Sequence, residues 1–181
     1  PNLHFEIVQG VDLGLDVRAV DNRMNAEVNL YNKTTDGIIT SFPLPASQGG
    51  LTYYTNLGKI TNKGIEVSLG WTDKIGEDFG FNVSGNFSYN KNVVNSLGNV
   101  TNFQITGDSG ANLTETGKSI GYFYGYKQVG IYQSITDIGK MPSFASSLPG
   151  DIAYADIDGD GVITPADRTY LGTPFPPYSY G

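Results

Sequence analysis

The chain has 181 residues, a formal net charge of -7 at pH 7 and no cysteine. Without cysteine there can be no disulfide or thiolate metal site, and the acidic balance argues against nucleic acid as a partner because phosphates would be repelled. The 24 glycines and the aromatic content of 12% favour β-structure with many turns.

Two stretches near the start of the chain alternate between apolar and polar residues. The odd positions from 11 to 19 are apolar and the even ones are polar or glycine, and a similar alternation runs from Met24 to Tyr31. A period of two is that of a β-strand with one apolar face. The intervening Asp21-Asn22-Arg23 predicts a tight hairpin turn.

A second hairpin follows the same design. Apolar positions alternate from Ile65 to Trp71 and again from Phe79 to Tyr89, and the link from Thr72 to Asp78 contains Gly76. We estimate each strand at ~9 to 11 residues, the length that crosses a bilayer at a tilt.

The connections between these strands alternate in length. The two hairpin turns are short, whereas a long loop spans about 41–61 and another long segment begins near residue 92. Short periplasmic turns and long extracellular loops are typical of bacterial outer-membrane barrels. We therefore predict an all-β fold, an antiparallel membrane β-barrel segment of about four to six strands. The alternative is a soluble β-sandwich with the same apolar face buried against a second sheet, although sandwich strands are usually shorter, at about 5 to 6 residues.

The segment from Asp156 to Asp167 spaces its carboxylates as a calcium-binding loop does. Oxygen ligands fall at positions 1, 3, 5 and 12, and Gly161 stands at the sixth position, where the backbone turns sharply. The predicted metal ligands are Asp156, Asp158, Asp160, the carbonyl of Val162, Thr164 and Asp167.

The predicted calcium is structural, because no nucleophile or base accompanies the loop. The twelfth residue is Asp rather than the Glu of an EF-hand, and no amphipathic helix stands on either side. Pro165 fits the first turn of a short helix with Thr164 as its cap, and Ile163 is expected to point into the fold. The alternative is an Asp/Gly-rich surface turn without metal.

The sequence assembles no catalytic centre, so we predict that the protein is not an enzyme. His4 is the only histidine and has no neighbouring nucleophile or paired acid. An aromatic cluster between Tyr122 and Tyr132 either stacks on sugar rings or packs against neighbouring side chains.

Several motifs along the chain are weak alone and specific in combination. They are Asn56-Leu57-Gly58, Asn62 to Val67, Asn86 to Asn92, Gly121 to Tyr126, Gly130 to Gln133, Pro149 to Ile152, Asp156 to Asp167, Arg168 to Gly172 and Pro174 to Gly181. Together they resemble the C-terminal half of the barrel in SusC/RagA-type TonB-dependent outer-membrane transporters of Bacteroidetes.

The resemblance implies a barrel of about 22 strands with a plug domain inside it. It also implies a location in the bacterial outer membrane in contact with lipid. The expected partners are a SusD-like surface lipoprotein, TonB acting through parts outside this chain, and a glycan or peptide substrate. Four strands cannot close a barrel and no signal peptide is evident, so we interpret the chain as a fragment of a longer polypeptide.

The predicted organisation has three parts. Residues 1–91 form four barrel strands with one extracellular loop at about 41–61, residues 92–178 form a long extracellular loop region that includes the calcium-type loop 156–167, and residues 179–181 begin a further strand. The alternative function is that of a secreted, calcium-stabilised β-sandwich domain that binds carbohydrate or protein.

Overall fold

The computed structural model describes residues 3–43, 52–56, 58–98, 102–103 and 110–181, and most of these lie in β-strands. The strands are β1 (Ile7–Ala19), β2 (Met24–Asp36), β3 (Ile39–Pro43), β4 (Thr52–Asn56), β5 (Lys59–Ile75), β6 (Phe79–Ser96), β7 (Asn102–Phe103), β8 (Asn112–Glu115), β9 (Tyr122–Tyr126), β10 (Gln128–Ile131), β11 (Ile152–Tyr154), β12 (Arg168–Gly172) and β13 (Tyr178–Tyr180). The helical segments are α1 (Ile135–Ile138) and a 3₁₀ helix (Pro165–Asp167). The predicted all-β class is confirmed.

The first hairpin has the predicted turn. Ala19 at the end of β1 pairs with Met24 at the start of β2. Between them the amide of Arg23 donates to the carbonyl of Val20 at 3.0 Å. Asn22 adopts a positive φ of 64°, a conformation that asparagine tolerates better than most residues.

The second hairpin is tighter than predicted. The link expected from Thr72 to Asp78 is wrong at its start, because β5 continues to Ile75 and only residues 76–78 turn. Gly76 takes the left-handed conformation there, with φ of 67°. The four long strands have 13, 13, 17 and 18 residues, more than the predicted length, because the antiparallel ladder continues beyond the apolar part of each strand.

Five strands form one sheet in the order β1-β2-β5-β6-β13, and the pairings are antiparallel. The register places the apolar side chains of all five strands side by side. One apolar row consists of Leu15, Val28, Val67, Phe87 and Tyr180. The next row consists of Leu13, Leu30, Ile65, Tyr89 and Tyr178.

The apolar face of this sheet is open. Leu15 is 60% exposed and Val83 is 62% exposed, which is unlike the dry core expected of a β-sandwich. A continuous apolar surface of this kind suits contact with lipid.

The opposite face of the same sheet is polar and internally hydrogen-bonded. The hydroxyl of Tyr31 donates to Oδ1 of Asn90 at 3.0 Å. Across β1 and β2, Nζ of Lys33 lies 3.2 Å from Oδ1 of Asp12. The alternation within each strand thus separates an apolar face from a polar face, as in a membrane barrel.

The long-loop end of the sheet carries more regular structure than predicted. β3 begins at Ile39, before the predicted loop 41–61, and pairs with β4 within that loop. β5 already begins at Lys59, whose Nζ lies 2.8 Å from Oδ2 of Asp36. β6 runs to Ser96, beyond the predicted boundary at residue 91. A small core of Ile60, Val94 and Leu97 holds this end together. The division of the chain into three parts stays a prediction.

Residue contacts divide the chain into two units, the first with the five-stranded sheet and the second with the described residues 110–114 and 121–174. In the second unit β12, β9 and β8 lie side by side, and β10 pairs with β11. Ser134 caps α1, and its side chain accepts from the amide of Asp137. Buried Thr114 accepts from the amide of Gly121 at 2.9 Å.

Gly64 in β5 is a position where the sheet has no room for a side chain. A Cβ added there would lie 2.6 Å from the hydroxyl and 2.7 Å from Cζ of Tyr31, and would also clash with the carbonyl oxygen of Tyr89. We expect Gly64→Ala to destabilise the folded receptor by about 1 to 3 kcal/mol, the usual cost of overpacking against backbone. Urea-dependent unfolding of the full-length receptor in lipid vesicles measures the change.

Gly80→Ala is the matched control in the adjacent strand. A Cβ there would have its nearest neighbour at 3.9 Å, so we expect a change within about 0.5 kcal/mol. Equal effects of the two substitutions would contradict the close packing of Tyr31 over Gly64.

Candidate functional site

The acidic loop 156–167 lies between β11 and β12 in the second unit. Its two glycines provide the turns, with φ of 78° at Gly159 and 86° at Gly161. Both values lie in the left-handed region that glycine adopts without steric cost. The loop closes with the predicted short helix, in which Pro165 occupies the first turn and Thr164 is the N-cap.

Three carboxylates of the loop converge. One oxygen each from Asp156, Asp158 and Asp167 lies within 4.8 Å of the others, and these residues could hold a metal ion. Asp160 stands outside this group, and its Oδ1 accepts from the amide of Val162 at 2.8 Å. The fold therefore brings together three of the four acidic side chains that the sequence singled out.

Backbone amides orient the first of these carboxylates. Oδ1 of Asp156 accepts from the amide of Gly159 at 2.6 Å, and Oδ2 accepts from the amide of Gly161 at 2.8 Å. Both oxygens are thereby fixed by the two glycine turns, so the loop conformation positions the side chain before any ligand arrives.

Asp167 is the best-buried acid of the group, with no exposed surface. Its oxygens accept from the amides of Ile157 and Thr164, both at 2.7 Å. Hydrogen bonds from the Thr164 and Ile157 amides favour the ionised carboxylate and hold the pKa of Asp167 below its usual range. An ionised carboxylate is the form that binds a hard cation.

The pKa of Asp158 is shifted in the opposite direction from that of Asp167. The hydrogen bond from the Asp160 amide lowers its pKa, but desolvation and the negative charges of Asp160 and Asp167 outweigh that effect, so the pKa is raised overall. Repulsion among neighbouring carboxylates is the electrostatic condition that a bound cation would relieve.

The hydrophobic anchor of the loop lies where the sequence predicts it. Ile163 is 3% exposed, and its amide donates to the carbonyl of Ser143 at 3.2 Å. The neighbouring Val162 forms an isolated parallel bridge with Ser143. This attachment fixes the middle of the loop to the preceding segment of the second unit.

Two rings of the aromatic cluster, those of Tyr122 and Tyr132, are buried. Tyr122 is 2% exposed and Tyr132 is 1% exposed, and the hydroxyl of Tyr132 donates to the carbonyl of Pro142 at 2.5 Å. Neither ring can stack on a sugar. Sequence reasoning missed Arg168, whose guanidinium lies 5.8 Å and 5.6 Å from the ring centres of Tyr124 and Tyr126. These contacts of Arg168 could not be predicted from the sequence, because they depend on the pairing of β12 with β9.

Among the described residues, neither helical segment has the length and the apolar character needed to span a bilayer. Residues 1–178 match the model of the family "TonB dependent receptor-like, beta-barrel". The chain belongs to this family. It is therefore a segment of a β-barrel of the bacterial outer membrane, and the predicted location is confirmed.

Relatives of known name agree with this assignment. The TonB-dependent receptor P3 of Formosa agariphila is 34% identical over a match that covers 99% of this chain and 19% of the relative. SusC of Bacteroides thetaiotaomicron is 26% identical over 92% of this chain and 16% of the relative. The predicted SusC/RagA-type resemblance is confirmed, and the chain spans between about a sixth and a fifth of the length of these relatives.

A solved structure has the same fold. A chain of the RagAB peptide importer in its closed-closed state matches with a TM-score of 0.74 and 24% identity, over 98% of this chain and 19% of that chain. The same importer in the open-open state matches with a TM-score of 0.70. The five-stranded sheet with one apolar and one polar face is thus a section of a larger barrel wall.

Proposed function

We propose that this receptor segment is part of an active importer that carries nutrients such as glycans or peptides across the outer membrane without catalysing a reaction. The observation that carries the proposal is the five-stranded sheet, whose apolar face is continuous and whose other face is polar. In a barrel wall these faces meet lipid and the transport lumen respectively. The family membership of the chain supports the same role.

The proposed partners follow from the relatives. RagAB is named as a peptide importer and SusC as a TonB-dependent receptor. By analogy, the receptor that contains this chain would work with a SusD-like surface lipoprotein and draw energy from TonB through parts outside the chain. The secreted β-sandwich alternative is disfavoured because the apolar face of the sheet is exposed.

We also propose a structural Ca²⁺ ion in loop 156–167. Asp156, Asp158 and Asp167 would form the centre of the ligand set, which Asp160, the carbonyl of Val162 and Thr164 would complete. Hard carboxylate and carbonyl oxygens are the donors that Ca²⁺ prefers. The ion would neutralise the crowded carboxylates and hold the loop in one conformation.

Deletion of the gene for the whole receptor in its native bacterium tests the transport role. We expect the mutant to lose energy-dependent uptake of at least one labelled glycan or peptide, while uptake of a monosaccharide small enough for porins stays unchanged. Complementation with the intact gene should restore uptake. Normal uptake of every oligosaccharide and peptide in a broad panel would refute the proposal.

A further inference from the structure

The apolar face of the five-stranded sheet ends in a row with two lysines. This lysine row consists of Val11, Asn32, Lys63 and Lys91, one from each of four neighbouring strands. Lys63 precedes lipid-facing Val67 by four residues and therefore shares its face. Lys63 lies directly opposite Lys91, and like charges in that position destabilise a sheet.

Neither lysine of the row has a counter-ion among the described residues. Lys33 and Lys59, by contrast, form ion pairs with Asp12 and Asp36. Lys63 and Lys91 are both exposed. Two uncompensated positive charges therefore project together from the lipid-facing side of the barrel wall.

A groove of about 750 Å³ adjoins the two charges. Its apolar part comes from the row nearest to the lysines, with Leu13, Leu30 and Ile65 among the lining residues. Leu13 is 64% exposed, so an apolar chain could lie directly against it. The surface thus combines an apolar trough with a positive end, which matches an amphiphile with acyl chains and an anionic head group.

We propose that Lys63 and Lys91 bind the phosphate of an outer-leaflet lipid whose acyl chains lie in the groove. The lysine row is at the long-loop end of the apolar face, the extracellular end of an outer-membrane barrel. Lysine side chains at that level reach the head-group region while the rows below them contact hydrocarbon. The proposal depends on the barrel orientation and not on which nutrient the receptor imports.

The test uses the full-length receptor in phosphatidylcholine nanodiscs that contain a small fraction of phosphorylated lipid A as the probe. We expect the double variant Lys63→Gln/Lys91→Gln to bind lipid A about 30-fold more weakly, because each lysine near a membrane surface contributes to anionic lipid binding. Native mass spectrometry of receptor-lipid complexes measures the bound fraction.

Two further double variants separate a specific site from general charge or folding effects. Lys33→Gln/Lys74→Gln removes the same charge from other positions on β2 and β5 and should bind like wild type. Lys63→Arg/Lys91→Arg keeps the charge and should also retain binding. Equal binding of lipid A by the Lys63→Gln/Lys91→Gln variant and wild type would overturn the proposal. Displacement of lipid A by an equal concentration of inorganic phosphate would overturn the assignment to a lipid.

Discussion

Arginine in place of Val67 is expected to destabilise the folded receptor by about 2 to 4 kcal/mol, the cost of a cationic side chain on the lipid face near the bilayer midplane. Val67 lies in the middle of the apolar row that crosses all five strands. Its cross-strand neighbours are Val28 on β2 and Phe87 on β6. Neither of these neighbours has a polar group that could accept a hydrogen bond from a guanidinium.

The matched control is Ser68→Arg, one residue along the same strand. Ser68 pairs with Glu27 and Asn86 on the polar face, so the same side chain would reach water and a nearby carboxylate. We expect a change within about 0.5 kcal/mol for this control. The free energy of unfolding of the full-length receptor in lipid vesicles, measured in urea, gives both values.

The comparison of these two neighbours tests the membrane assignment directly. Because successive side chains point to opposite faces of a strand, the two variants differ mainly in which medium the arginine meets. If Ser68→Arg proved more damaging than Val67→Arg, the faces would be reversed and Val67 would point away from lipid.

The second large effect concerns the calcium loop. We expect Asp156→Asn to weaken Ca²⁺ binding by at least about tenfold, because calcium affinity depends on the number of charged ligands. The asparagine would keep one oxygen acceptor for the glycine amides that the aspartate holds. Isothermal titration calorimetry on the full-length, chelator-treated receptor measures the affinity.

A second loop variant and a control variant outside the loop complete this experiment. Asp158→Asn changes an exposed member of the carboxylate group and should weaken binding similarly. Asp78→Asn removes an exposed carboxylate from the turn between β5 and β6 and should leave the affinity unchanged. Calcium binding that is unaffected by either change in the loop would place the ion elsewhere, and the absence of binding at millimolar calcium would leave a metal-free surface turn.

Local chemistry made much of the fold predictable. The alternation around Leu13 and Val67 predicts strands with one apolar face because a strand repeats every two residues. Asp21-Asn22-Arg23 marks a turn by the same local reasoning, and Thr164 before Pro165 marks a helix cap. The acidic spacing from Asp156 to Asp167 predicted a set of ligands that includes the three converging carboxylates, because a loop of twelve residues positions its own side chains.

Pairing between distant strands determined side-chain contacts that local sequence patterns could not predict. Lys63 and Lys91 are far apart along the chain, and only the register of β5 with β6 places them opposite each other. The tight fit of Tyr31 over Gly64 and the contact of Arg168 with Tyr124 and Tyr126 also depend on strand pairing. The excess strand length was unpredictable for a related reason, since hydrogen bonds to a neighbouring strand can extend a ladder past the apolar residues that mark it.

The sequence by itself therefore determined the four long strands, their apolar and polar faces, the first hairpin turn and the acidic loop, because each depends on residues close together in the chain. The tertiary structure alone decided which faces join into one surface and which charges become neighbours. Those outcomes depend on the register between distant segments, which local residue preferences do not specify.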